Sequence, residues 1–476
     1  MTELLLSAVL IALSLSAALH ALMTKSDSRS ALAWVSFCLL MPLLGPAAYI
    51  LFGINRTRST AQRLYSSDEA TPIDGLDSQR DSNSERALIG LRASGRELSD
   101  YDSIRFLVNG EQTFPAMLAD IAAARQSVTL CTYLFQHDQI GRQFVAVLSA
   151  ARARGVEVRV LIDGLGELAY PPRVARALRA AGIETALFDP LRLFPPSLHI
   201  NLRNHRKMLV VDGCVAYTGG HNISARHLVD DPAIAHPTRD LHVRVVGAIA
   251  AEFDRAFAAD WRRCTGETID TASAAAEPRA IPAAEPKATL NALERGSARL
   301  LLDGPNEDLD KLNDVLLGVF SSAKTRLWLM TPYFLPDSDL VGALTAARLR
   351  GVDVRVLLPA RGNVHLAHWA AQHATRRLAR RGLPIYLSPA PFIHTKALLI
   401  DDDYALIGSA NIDPRSLRLN FELAVELFSP ACAAWLSRYF ENLLGPASRI
   451  DASAADPRPY WMRVRDAGAW LFSPFL

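Results

Sequence analysis

The chain has 476 residues, half of them apolar, and its 51 Lys and Arg against 49 Asp and Glu leave a formal charge of +2. That length holds two domains of ordinary size plus something extra, and the near balance of charge excludes the broad basic field of a nucleic-acid binder. Five scattered cysteines with no C-x-x-C pair exclude a disulfide framework and a thiolate zinc site, and they fit a reducing compartment.

Leu4 to Met23 is a run of twenty residues without a formal charge, and 31–54 is a second run of twenty-four carrying Trp34 and Tyr49. Each is long enough to cross a hydrocarbon core of about 30 Å as a helix. A cleaved signal peptide is the rival reading of the first run. Against it, Met1-Thr2-Glu3 lacks Lys or Arg, and a second apolar run follows at once. Pro42 and Pro46 predict a kink in the second run, of a kind that membrane helices tolerate. Lys25 and Arg29 face Asp27 in the connection, whereas Arg56, Arg58 and Arg63 follow the second run with no acid before Asp68. The larger basic excess stays inside. A transmembrane hairpin over 1–56 is therefore expected in the cell (inner) membrane, multi-pass, with the remaining domains cytoplasmic.

Residues 57–103 are polar and weakly periodic and read as a tether, with one short helix around Glu85 to Leu91. A first globular unit is expected over 104–265. There Ala116 to Ala124 is helical in pattern, Val128 to Phe135 is a strand, Gly141 to Arg154 an amphipathic helix ending at Gly155, and Val156 to Ile162 the next strand. Strand alternating with helix implies an α/β fold with a sheet covered on both faces. Cys131 and Cys214 fall in apolar runs and read as small core residues.

Residues 203–222 carry the chemistry. His205-x-Lys207 is followed after four residues by Asp212 and after six more by Gly219-Gly220-x-Asn222. His and Lys two apart on a strand point to one face, so an imidazole and an ammonium can share a pocket. The skeleton returns, with the same internal spacings, as His394-x-Lys396, Asp401 and Gly408-Ser409-x-Asn411. The surroundings repeat too: 151–160 answers 347–356, and Ser127 to Tyr133 answers Thr325 to Thr331. An internal duplication with a small insertion in the first copy accounts for both. A second unit is thus expected over 297–476, joined to the first by an Ala- and Pro-rich linker at 266–296. Its closing stretch, Pro459 to Leu476, is rich in aromatics and reads as packing on the core, with the membrane interface as the alternative.

Two imidazoles and two ammonium groups suffice for displacement at a phosphodiester without a metal or cofactor. One His attacks phosphorus, the other handles the protons, and the Lys pair with the Asn222 and Asn411 amides can hold the growing negative charge. A nucleophilic His needs its far nitrogen held by an acceptor. Asp240, 35 residues after His205, and Glu422, 28 after His394, are the candidates. Asp212 and Asp401 belong to the motif and are counted with the catalytic set, although a structural role suits them better. In the first copy Gly220 stands where the second has Ser409. His242 is expected to line the site and His221, His227 and His236 to be loop residues. His365, His368 and His373 fall on an expected helix with Arg376, Arg377, Arg380 and Arg381; a basic face near anionic headgroups fits better than a metal site.

The duplicated motif resembles the phospholipase D superfamily. Asn204-His205-Arg206-Lys207, Thr331 to Asp337 and Gly408 to Ser416 continuing to Asn420-Phe421-Glu422 resemble bacterial cardiolipin synthases. The resemblance implies two phospholipase D-like α/β/α sandwich domains related by pseudo-twofold symmetry, meeting at one site. It also implies transfer of a phosphatidyl group between two phosphatidylglycerol molecules with release of glycerol, through a phosphohistidine. Asp240 and Glu422 are the acidic partners by the same resemblance. The implied partners are phospholipids and the membrane, with no nucleic acid and no named protein. Hydrolysis with water as acceptor is the alternative function. A nuclease is disfavoured by the charge and the hairpin, and a non-catalytic lipid-binding scaffold by the intactness of both motifs.

Overall fold

A computed structural model describes residues 2–25, 27–53, 82–190, 202–271, 292–293, 295–306, 308–451, 456 and 458–473. Most of the expected linker, the tether before residue 82, Arg56, Arg58 and Arg63, and the last three residues lie outside that set. Two compact units divide the chain, Met1–Ser67 and Asp68–Leu476.

In the first unit, helix Thr2–Thr24 has 23 residues, about 34 Å at about 1.5 Å per residue. Within it, Leu5–Thr24 is long and apolar enough to cross a membrane. The second run is not one uninterrupted span. Helix Ser28–Leu40, capped by the Asp27 carboxylate accepting the Ser30 N–H at 2.8 Å, stops at Met41. A short helix Leu44–Ala48 and a π-turn Tyr49–Gly53 follow. Pro42 and Pro46 bring no N–H to the helix ladder. Gly45 lies so close to the preceding helix that a Cβ there would come 2.5 Å from the Phe37 carbonyl oxygen, so only glycine fits the bend. Ala17, Ala18 and Ala21 pack on Cys38 and Tyr49, a small-residue contact suited to helices in lipid. Leu5, Leu6, Ile11, Leu15, Leu19 and Leu22 face outward.

In the second unit, one sheet runs in the order Ala292–Leu293, Ser103–Val108, Leu241–Val246, Val215–Gly219, Met208–Val211, Ser127–Thr132, Glu157–Asp163, Glu184–Phe188. The other repeats it with Gly296–Asp303, Asn420–Phe428, Tyr404–Gly408, Ala397–Ile400, Arg326–Met330, Asp353–Pro359 and Ile385–Ser388, extended at its edges by Ser99–Tyr101 and Ser448–Arg449. In each sheet the three strands that alternate with helices pair in parallel and their neighbours pair antiparallel. Strands such as Met208–Val211 and Ala397–Ile400 are buried at every position, as a sheet covered on both faces requires. The crossover helices are twins. Gln139–Ala153 and Ser338–Leu349 are capped by Asp138 and Asp337 and give way to Gly155 and Gly351 at φ +91° and +89°. Outer helices form a separate core on each sheet. Between the sheets, Phe253, Phe257 and Trp261 share one core with Leu436, Phe440 and Leu443. The fold is thus two equivalent α/β halves built on one another.

Residues 82–101, read from the sequence as tether, belong to the second half instead. Helix Ser82–Ser94 carries Arg86, whose fully buried guanidinium pairs with Asp401 and Asp403, while its Nε donates to Ser322 Oγ at 3.1 Å. Strand Ser99–Tyr101 pairs with Gly296–Ala298. The segment is polar because its contacts are ionic, and a hydropathy reading cannot see them. At the other end, helix Tyr460–Trp470 packs on helix His365–Arg380 through Trp369, Ala370, Ala469 and Trp470.

Candidate active site

Each motif is a strand, a tight turn and a returning strand. At the turn Asp212 and Asp401 have φ of +50° and +51°, a left-handed conformation that Asp tolerates better than most residues. The Asp212 carboxylate accepts the N–H groups of Arg125, Gln126 and Ser127 at 2.7–3.2 Å. Asp401 does the same for Lys324, Thr325 and Arg326 at 2.7–3.2 Å. Counting these two with the catalytic set is therefore corrected. They tie the turn to the neighbouring strand, at the far end from the imidazoles.

Alternation along 204–207 sorts the side chains. Asn204 and Arg206 point inward to Asp260, at 2.9 and 2.8 Å, while Asp163 accepts the Asn204 N–H at 2.9 Å. His205 and Lys207 are left for the other face. What aims His205 is the opposite half. Arg203–Asn204 pairs in parallel with Asn420–Phe421, and the His205 N–H donates to the Phe421 carbonyl at 2.8 Å. The mirror ladder joins Phe392–Ile393 to Thr238–Arg239, and the His394 N–H donates to the Arg239 carbonyl at 2.8 Å. The residue after each of these acceptors is the acid, so the pairs cross. His205 Nδ1 lies 3.0 Å from Glu422 Oε2, and His394 Nδ1 lies 2.7 Å from Asp240 Oδ2.

Both carboxylates are fully buried. Burial alone would raise them, but the paired imidazoles and nearby lysines hold Asp240 and Glu422 below the usual carboxylate range. Burial pushes His205 down to about 4, helped by Lys207 and Lys396 and opposed by Glu422. His394 is likewise at about 4, through burial and Lys396 against Asp240. At neutral pH each pair is a neutral imidazole donating Nδ1–H to a carboxylate, which leaves the His205 Nε2 lone pair to the cleft, while His394 Nε2 lies 2.9 Å from Lys396 Nζ. Lys207 and Lys396 fall to about 8 and about 7 by burial, held up by Glu422 and Asp240. Their Nζ atoms donate to the His205 and His394 carbonyls at 2.8 and 2.6 Å.

His205 and His394 open onto one cleft of about 400 Å³, which Asn222 and Asn411 also line. The Asn222 side-chain Oδ1 accepts the Leu134 N–H at 3.2 Å, and the Asn411 side-chain amide donates to Ser416 Oγ at 3.1 Å. Ser409 Oγ donates to Glu422, and Asn420 supports the same carboxylate at 3.1 Å. Gly220 has no hydroxyl to offer. A Cβ there would come 2.2 Å from Asp240 Oδ1, so glycine makes room for the acid.

The sequence reading passed over Tyr133 and Tyr333, which line the cleft from the ends of equivalent strands. The Tyr133 ring meets His205 edge-on at 5.2 Å, and Lys207 Nζ lies 5.8 Å from its centre. The repeat gave no signal for them, because the strands align Cys131 with Met330 and so put Tyr133 opposite Pro332 and Tyr333 opposite Leu134. The histidines also need correcting. His227 lines the cleft, whereas His242 is buried behind it, its Nδ1 3.0 Å from that of His221.

Two crossed imidazole–carboxylate pairs, brought to one cleft by duplicated α/β halves and each backed by a buried lysine, define the phospholipase D class of phosphodiester enzymes. A family profile described as "Cardiolipin synthase, PLD-like domain" matches 117–261 and 316–444, one stretch in each half, and one described as phospholipase D-nuclease N-terminal matches 12–53. The chain belongs to the cardiolipin synthase family of the phospholipase D superfamily. It is 31% identical to a cardiolipin synthase of Geobacillus kaustophilus over 94% of this chain and 88% of that one. It is also 31% identical to cardiolipin synthase A of Pseudomonas entomophila over 98% and 96% of the two chains. Among solved structures, phosphatidylserine synthase of Haemophilus influenzae has the same fold, with a TM-score of 0.62 at 15% identity, covering 78% of this chain and 95% of that one.

Proposed function

We propose that the protein is a membrane phosphatidyltransferase that makes cardiolipin from two phosphatidylglycerol molecules and releases glycerol. The observation that carries this reading is the pair of crossed His–acid contacts facing one cleft, in a chain whose full-length relatives are cardiolipin synthases.

His205 Nε2 attacks the phosphorus of the first phosphatidylglycerol, and the bond to its glycerol oxygen breaks. His394, protonated as the anionic phosphodiester enters, gives its proton to that departing oxygen. It then takes the proton of the second molecule's terminal hydroxyl, whose oxygen attacks phosphorus and expels His205. Lys207, Lys396 and Asn222 hold the non-bridging oxygens. Keeping the phosphodiester energy in a P–N bond lets an alcohol act as acceptor without a nucleotide. His205 is assigned as nucleophile because Glu422, which holds its Nδ1, is itself braced by Ser409 and Asn420, and this keeps Nε2 turned toward the cleft. A nitrophenyl phosphodiester, whose leaving group needs no protonation, separates the roles. His394→Asn should still form phosphohistidine and His205→Asn none, and a label found only on His394 reverses the assignment. Lipid mass spectrometry tests the reaction itself: cardiolipin supports transfer, whereas phosphatidic acid alone supports hydrolysis.

The residues 28–53 are assigned as the second, broken arm of a hairpin, with the catalytic unit on the cytoplasmic face. The basic excess after residue 54 supports that orientation. A cysteine placed at Ser26 should react with an impermeant reagent from outside the cell; protection there and labelling of the carboxyl-terminal tail would reverse the topology.

A further inference from the structure

Away from the catalytic cleft, helices His365–Arg380 and Tyr460–Trp470 enclose a second pocket of about 230 Å³. Arg376, Arg377, Arg380, Arg458 and Arg463 line it, against the single acid Asp456. Helix His365–Arg380 contains no Asp or Glu at all, so its arginines have no partner on their own element. Asp456 accepts from Arg458 at 2.7 Å and lies 3.7 Å from Arg376. Asp466, behind it, is taken up by Arg458 and by Arg465 at 2.7 Å. No described carboxylate is within salt-bridge reach of Arg380 or Arg463. The Nε of Arg376 is buried and makes no hydrogen bond. Arg376 and Arg380 stand one turn apart, a repulsive spacing for like charges.

A solvated basic face accounts for exposed arginines but not for one whose guanidinium is partly desolvated beside four others. Five arginines against one carboxylate leave the pocket a surplus of positive charge. Its rim shows which anion would suit it: Tyr460, Trp461 and Val464 are 76%, 59% and 52% exposed on the same helix. Aromatic and aliphatic side chains held in water beside arginines are the composition of a membrane interface. We propose that this pocket binds the phosphodiester of an anionic phospholipid from the bilayer surface, as a site separate from the catalytic one. The guanidinium forks grip the phosphate oxygens, and the lipid's apolar part lies along Tyr460, Trp461 and Val464. Ala367, on the same helix, lines the catalytic cleft. Nine residues separate Ala367 from Arg376, about 14 Å along the axis at about 1.5 Å per residue. A lipid held here therefore seats the cleft mouth near the bilayer surface. This inference needs membrane association only, and it stands whichever histidine is the nucleophile.

The test uses the full chain in bilayer discs of phosphatidylcholine doped with phosphatidylglycerol, with His205→Asn to stop turnover. Trp461 is replaced by photoreactive benzoylphenylalanine, and the lipid adducts are weighed. Phosphatidylglycerol should be enriched in the adducts over its share of the bilayer. The double variant Arg380→Gln/Arg463→Gln should lose that enrichment by about fivefold for each arginine removed. Arg380→Lys/Arg463→Lys keeps the charge but not the fork, and should also lose part of it. Adducts that follow bilayer composition, or enrichment that the Lys pair retains in full, would overturn the site in favour of diffuse surface attraction. Displacement by millimolar inorganic phosphate would show a site for soluble phosphate and overturn the lipid assignment.

Discussion

The two halves of the site hold their histidines with different acids, and the difference reaches into the turn beneath. Glu422 is the longer side chain and is braced by Ser409 Oγ and Asn420. Asp240 is shorter, accepts the Leu241 N–H at 2.9 Å, and packs on Gly220 where a serine would collide. One methylene in the acid and one hydroxyl in the turn exchange for each other, so both imidazoles arrive at the same cleft. Near-symmetry at the backbone therefore coexists with asymmetry in how each ring is held, which suits two histidines that perform different tasks.

The largest break of this comparison is removal of either ring. His205→Ala and His394→Ala should each lower transfer by about 10²- to 10⁴-fold or more, with an unchanged circular dichroism spectrum. Near wild-type activity in either variant would overturn the shared site. The halves differ next in stability. Arg86 anchors the second motif's Asp401, and Arg86→Met leaves Asp401 and Asp403 without it at a cost of about 3 kcal/mol. Thermal unfolding should fall accordingly; an unchanged midpoint would mean the buried pair contributes nothing net. The turn residues sharpen the contrast further. Gly220→Ala pushes Asp240 off His394 and should lower kcat by up to about 10²-fold, whereas Ser409→Ala loses one hydrogen bond to a carboxylate, worth about tenfold. Equal effects from the two would erase the asymmetry. Smallest is a shift in the pH profile. Lys396, at about 7, acts as an ammonium that Asp240 helps to keep protonated. Asp240→Asn removes that help, so its pKa falls and the alkaline limb of the residual kcat/KM should move to lower pH. A limb that stays put would mean another group sets it.

The motifs and the duplication were legible because they rest on short-range spacing: His205 and Lys207 share a face by strand alternation, and Asp212 and Asp401 recur at one offset. The crossing of the acids was not. It depends on two ladders only two residues long, Arg203–Asn204 with Asn420–Phe421 and Thr238–Arg239 with Phe392–Ile393. Segments so short have no periodicity to read, and counting 35 and 28 residues along the chain assigns no partner across it. Arg86 escaped for a related reason, since a buried ion pair leaves a polar sequence. The second apolar run was read correctly for its composition, while Gly45 and the two prolines decided its break.

The crossed pairs also set when the enzyme becomes active. Glu422 lies 217 residues beyond the histidine it orients. At about 5–20 residues per second, a ribosome needs about 10–40 s to travel that distance. Throughout that interval the apolar helix Leu5–Thr24 is already made while His205 has no acid and the cleft has one wall. A chain cut short before residue 422 therefore carries the apolar helix and His205 but no phospholipid chemistry, so no half-built catalyst precedes the finished one.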